Sequence, residues 1–194
     1  MKKINYIEYN AGNFLSLKNS LKKLNYDTHI VNDPSKILED RPIIIPGVGN
    51  FGYCIEQFKI RGFYEYFKDN KNLKVNVIGI CVGMQIMFEK SEESPQKKGL
   101  GIFDGSIENL SKLGVNKTPS IGWFDTYNNK GLHDKYYYIH SFGNVSKDRQ
   151  DYYYYLNNGI KITSIIKKNN YIGIQFHPEK SGEPGLKLLN GYLE

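Results

Sequence analysis

Two short apolar runs constrain this chain more than any other feature: residues 42–45 (PIII) and 75–80 (VNVIGI), each leading into a glycine-bearing turn and then a helical pattern. Strands buried on both faces of a parallel sheet read as such runs, because neither face meets water. Residues 3–9 and 27–31 read as two further strands, and between them Phe14, Leu17, Leu21 and Leu24 recur at a spacing that makes one helical stripe. After PGVGNFG (46–52), Phe51, Cys54, Ile55 and Phe58 share one face of a second helix. A third helix is expected from Cys81 to about Lys90. Strands alternating with helices predict a mostly parallel central sheet with helices on both faces.

The second half changes character. Residues 99–107, 136–141, 152–156, 160–166 and 171–176 alternate or run apolar between Gly and Asn turns, so they predict an antiparallel extension packed on the first sheet. The tyrosine runs at 136–138 and 152–155 suit half-buried strands, and a structural role outweighs an aromatic-binding one. A last helix is expected over 184–193. With no linker, low-complexity tract or repeat, residues 1–194 are expected to form one α/β domain.

Composition narrows the function classes. No apolar stretch approaches the roughly 20 residues of a membrane span, and MKKINYIEYN lacks the pattern of a signal peptide; a cytoplasmic location and no membrane partner are expected. The formal net charge of +6 comes from scattered lysines that form no basic stripe with interleaved aromatics, which argues against nucleic acid. The two cysteines, Cys54 and Cys81, form no CxxC pair, so neither a zinc site nor any other metal site is expected.

Three segments carry chemistry. In GICVGMQ (79–85) a buried strand ends at Ile80 and Cys81 stands where the chain turns into a helix, with Gly79 and Gly83 leaving room for the turn. That is a nucleophile elbow with Cys in place of Ser, and backbone N–H groups at a helix start favour the thiolate. A lone cysteine is more often a small buried hydrophobe; its context here reverses that. In GIQFHPEKS (173–181) a second strand delivers His177, with Glu179 able to orient it, so Cys81, His177 and Glu179 form a candidate nucleophile–base–orienter set. Strand ends on one edge of a sheet would bring them together. In PGVGNF (46–51), Gly47 and Gly49 free the backbone, and the amides of Val48 and Val82 are candidate oxyanion donors. A phosphate cradle is the competing view of this turn, but GxxxxGK[ST] is absent.

In this order the segments resemble the class I (triad) glutamine amidotransferases. PGVGNFG, GICVGMQIMFEKSEE, KGLGIFDGSI, IGWF, YYYIHSF and FHPEKSGEPGLKLL together resemble one branch, the glutaminase subunits of imidazole glycerol phosphate synthase, nearly end to end. The resemblance implies that Cys81 attacks the glutamine side-chain amide and that His177 shuttles the proton while Glu179 orients it. It also implies that Gly49, Gln85 and Glu93, with the backbone around Ser141 and Phe142, hold the substrate L-glutamine. No cofactor is implied. Trp123 and Lys180 fall where the family meets its partner in a heterodimer, a (β/α)8-barrel cyclase of histidine biosynthesis through which the ammonia travels.

Three places depart from the family pattern: Asn10 stands for a Gly after Tyr9, Ser120-Ile121-Gly122-Trp123-Phe124 for His-x-Gly-Trp-Asn, and Gly143 for a common Arg. They bear on partner contact and on the identity of the ammonia acceptor, and leave open a paralogous subunit that amidates a surface sugar. A Cys-His peptidase or deglycase would have no use for Gln85 and Glu93 together. A non-catalytic regulatory subunit on the same fold would have no use for an intact triad.

Overall fold

The computed structural model describes residues 1–12, 14–115, 117–145 and 152–194, and of Tyr152 the backbone alone. The first half forms β1 (Lys2–Ile7), α1 (Phe14–Lys23), β2 (Tyr26–Val31), β3 (Ile43–Ile45), α2 (Phe51–Ile60), α3 (Phe63–Asp69), β4 (Val77–Ile80) and α4 (Val82–Gln85). The second half forms β5 (Phe88–Ser91), β6 (Phe103–Asn109), β7 (Ser120–Asn128), β8 (Gly131–His140), β9 (Phe142–Gly143), β10 (Tyr152–Asn157), β11 (Ile160–Lys168), β12 (Tyr171–Ile174) and α5 (Gly182–Leu193).

Nine strands make one sheet in the order β2-β1-β3-β4-β12-β11-β10-β7-β8, and β5-β6-β9 make a small second sheet. From β2 to β12 all pairings are parallel; from β12 to β8 all are antiparallel. The extension therefore continues the first sheet edge to edge, and β12 belongs to both halves. Ile45 pairs with Gly79 and Ile174 with Ile80, so β3, β4 and β12 end at one level of the sheet. Everything that follows these three ends must gather on one edge.

Residues 86–91 depart from the sequence expectation. The helix after Cys81 stops at Gln85, and Phe88–Ser91 is a strand. Met84, Ile86, Met87 and Phe88 are all buried, leaving no polar helical face. The Ile86 and Met87 carbonyls are taken instead by Leu100, Ile102 and Phe103 N–H. Strand β7 and helix α3 have no counterpart in the sequence reading. On β7 the alternation is inverted: Ile121 and Trp123 face outward while Ser120 and Thr126 are buried, so hydropathy hides the strand. Tyr136, Tyr138 and Tyr155 are core residues, as expected of strand tyrosines.

Candidate active site

Cys81 sits at φ 54° and ψ −113° on the turn between β4 and α4. A non-glycine residue held there is strained, typically by about 1–3 kcal/mol. The strain is over-determined by its surroundings. The Cys81 N–H donates to Ile174 O at 2.8 Å, and the Met84 and Gln85 N–H groups return to Cys81 O at 3.0 and 3.1 Å. A Cβ on Gly79 would lie 2.6 Å from Gly83 O, one on Gly83 2.1 Å from Ile45 O, and one on Gly47 2.1 Å from Gly83 N. The elbow and the PGVG turn are thus packed backbone to backbone: a methyl group at Gly47 or Gly83 would push them apart, and one at Gly79 would force the strand and helix of the elbow itself apart. N–H groups at the start of a helical turn have no intrahelical acceptor, which suits the Val82 amide to a developing anion.

His177 follows β12 and shares its edge. Its N–H donates to Tyr137 O at 3.1 Å, and its Nδ1 donates to Glu179 Oε1 at 2.9 Å. Burial alone would lower the imidazole, but hydrogen bonds to Cys81 and to Glu179, with the charge of each, outweigh it and raise the pKa to about 10. At neutral pH the ring therefore holds a proton beside the sulfur. Glu179 lies behind the imidazole with its side chain 3% exposed. Its Oε2 and the Tyr6 hydroxyl are the side-chain polar atoms buried without a hydrogen-bond partner among the described residues. Ser181 braces the same turn: its Oγ accepts from Tyr137 N–H at 3.0 Å and donates to His177 O at 2.7 Å.

Cys81 and His177 open into a cavity of about 390 Å³ that Val48, Gly49, Val82, Gln85, Glu93, Ser141, Phe142 and Lys180 also line. The expected substrate and oxyanion residues are thus brought together, with Glu179 behind. Gly49 takes φ 93°, open to glycine and strained for other residues. The PGVG turn is held on two sides: Tyr9 donates its hydroxyl to Pro46 O, and Cys54 donates its thiol to Val48 O at 3.8 Å. Glu93 Oε2 accepts from Phe51 N–H at 2.7 Å, tying the carboxylate to the start of α2.

Trp123 lies outside the cavity on β7, 51% exposed, with its ring edge-on to Tyr137 at 6.0 Å. It is a surface residue, not a core one. Two of the family departures point inward: Ser120 is buried and accepts from Asn157 Nδ2 at 2.9 Å, and Phe124 packs on Tyr138 and Tyr155. Asn10 takes φ 63°, a conformation Asn tolerates, and its side chain bonds Gln57 and Arg61. Gly143 is buried, and a Cβ there would meet Ile162 Cγ2 at 3.2 Å. The sequence reading missed His140, which lines the cavity, and Gln175, which contacts the sulfur. A polar Gln175 inside the apolar run 171–176 was the available signal for the second.

The model of the family described as "Glutamine amidotransferase class-I" matches residues 6–191. This chain belongs to that family. Among class I glutamine amidotransferases it is similar to the imidazole glycerol phosphate synthase subunit HisH of Lactococcus lactis subsp. lactis (strain IL1403), at 35% identity over 100% of this chain and 99% of the relative. It is also similar to the protein of the same name from Caldanaerobacter subterraneus subsp. tengcongensis, at 38% identity over 98% and 97%. A solved structure titled as a glutamine amidotransferase covers 98% of each chain with a TM-score of 0.69. At 15% identity that likeness speaks to the fold alone.

Proposed function

We propose that this chain is the glutaminase subunit of an imidazole glycerol phosphate synthase, with Cys81, His177 and Glu179 as its triad. The observation that carries the reading is the meeting of the Cys81 elbow with the His177–Glu179 pair at the ends of adjacent strands, above a cavity of amino-acid size. In this reading the Cys81 proton is carried by His177 while the sulfur attacks the glutamine side-chain carbonyl. The Val48 and Val82 amides stabilise the oxyanion. As the tetrahedral intermediate collapses, the C–N bond breaks and the imidazolium gives its proton to the departing nitrogen, releasing ammonia and leaving a glutamyl thioester. Neutral His177 then deprotonates water, which attacks the thioester; glutamate leaves and the thiolate–imidazolium pair is restored. Gly49, Gln85, Glu93 and the backbone at Ser141 and Phe142 hold the substrate.

The relatives' name calls each a subunit, which supports a partner that consumes the ammonia. We place a (β/α)8-barrel cyclase against the Trp123 and Lys180 face as the second half of a heterodimer. Ser120 and Phe124 face inward, so these departures leave that face unchanged in its chemistry and favour the histidine-pathway acceptor over a surface sugar. In this reading residues 1–194 act as one cytoplasmic glutaminase domain. Replacing Cys81 with Ala should lower glutamine hydrolysis by at least about a thousandfold, while the assembled complex still uses free ammonium. Hydrolysis at the wild-type rate would refute the triad. Failure of this chain and its barrel partner to rescue a histidine auxotroph would refute the acceptor.

A further inference from the structure

Behind the cavity runs a series of hydrogen bonds whose directions are fixed by one carbonyl. Phe142 O can only accept, and it faces Gln85 Nε2 at 2.8 Å and His140 Nδ1 at 2.8 Å. The first contact fixes which end of the Gln85 amide is nitrogen. The Gln175 atom 3.1 Å from that nitrogen must then be oxygen, which turns the Gln175 nitrogen toward the Cys81 sulfur at 3.9 Å. The second contact fixes the His140 tautomer: Nδ1 carries the hydrogen, so Nε2 accepts from the Tyr155 hydroxyl at 2.8 Å. Burial lowers His140 to about 4, more than its hydrogen bond to Phe142 O raises it, so the ring stays neutral near pH 7.

Gln175 is 0% exposed and stands between Ile174 and Phe176, both equally buried. An apolar side chain would suit such a position, and a buried amide is costly unless its polar ends are partnered. Its partners here are the side chain of Gln85 and the sulfur of Cys81.

We propose that the Gln175 side-chain N–H donates to the Cys81 thiolate, and that Gln85 and the Phe142 carbonyl hold the amide in that donating orientation. This rests on the reading of Cys81 as the nucleophile. The contact is long for a neutral thiol and shortens when the sulfur carries charge, as charge-assisted bonds do. It steadies the sulfur and favours the state that attacks. It also commits both hydrogens of Gln85 Nε2, to Phe142 O and to Gln175 Oε1. Gln85 therefore meets the substrate with its oxygen, as an acceptor for an N–H of glutamine.

The test is the alkylation rate of Cys81 by iodoacetamide against pH in the full chain, with the product located by mass spectrometry to separate it from Cys54. In Gln175→Met, which keeps the volume and removes the donor, the midpoint of that profile should rise by about one pH unit. The kcat for glutamine hydrolysis should fall about tenfold, with a smaller change in KM. A profile that coincides with wild type overturns the proposal. If that variant does not fold, the wild-type protein supplies the answer: the side-chain amide signals of Gln175 in a 15N spectrum should move with pH in step with Cys81 alkylation and stay fixed in Cys81→Ala. Signals that ignore the titration overturn it equally. Alkylated protein that still hydrolyses glutamine would refute the nucleophile assignment instead, a result separate from either profile.

Discussion

The two halves of the main sheet are built from different materials. Around β1, β3 and β4 the interior is mainly Ile, Val and Phe, with Phe58, Phe63 and Phe67 in mutual contact and only a few tyrosines such as Tyr6 and Tyr9 among them. Around β7, β8, β10 and β11 it is tyrosine and hydroxyl: Tyr138 Oη bonds Thr126 Oγ1 at 2.6 Å and Ser164 Oγ at 2.5 Å, and Tyr155 Oη bonds His140. Hydrophobic packing is non-directional, so it sets where strands end but not how a polar side chain is turned. Hydrogen bonds have direction. The parallel half therefore places Cys81 in space, and the antiparallel half aims the polar groups around it.

This division can be broken most severely at the glycine contact on the parallel side. Gly83→Ala would put a Cβ 2.1 Å from Ile45 O, a backbone atom that no rotamer change can move. We expect a loss of about 3 kcal/mol, read by urea denaturation, together with loss of activity. An unchanged midpoint would mean that the elbow is not packed as described. Next comes the outer face of the antiparallel half. Trp123→Ala should weaken association with the proposed barrel partner by about 2 kcal/mol in a titration, while leaving the melting temperature of the lone chain near wild type. Unfolding instead would contradict the exposure of Trp123. Smaller again is Tyr138→Phe, which deprives Thr126 and Ser164 of a shared partner. About 1 kcal/mol of stability should go, with glutamine hydrolysis little changed.

The last effect is one of pH dependence rather than size, and it sits just after β12, where the halves meet. His177 is raised above its unfolded value to about 10 by its contacts with Cys81 and with Glu179, so the stability that its charged pairing contributes is fully present below about pH 6.5 and is lost as the pH climbs through about 10. The destabilisation caused by Glu179→Gln should accordingly be larger at pH 7 than at pH 10.5 in thermal melts. The His177 ring signals should also titrate at lower pH in that variant. A penalty independent of pH would count against the pairing.

The parallel half was legible because its signals are local: apolar runs, glycine turns and helical stripes all report burial directly. The elbow and the His-Pro-Glu turn were legible because strand ends on one sheet must converge. Strand β7 was not, since Trp123 and Ile121 turn outward and reverse the usual alternation. The strand at Phe88–Ser91 was not, since Met84, Met87 and Phe88 fit a helical stripe as well as they fit a buried strand. The role of Gln175 needed three-dimensional partners more than fifty residues away, which no local pattern encodes.

The backbone of Cys81 also bears on how such a chain would age. A residue at φ 54° and ψ −113° is held against its own preference, and glycine at the same position would carry little of that strain. A lineage released from the need for a nucleophile would gain stability by drifting to glycine there, with no other change required. Decayed copies of such a gene should lose this residue early, well before the Ile and Phe core that shapes the fold.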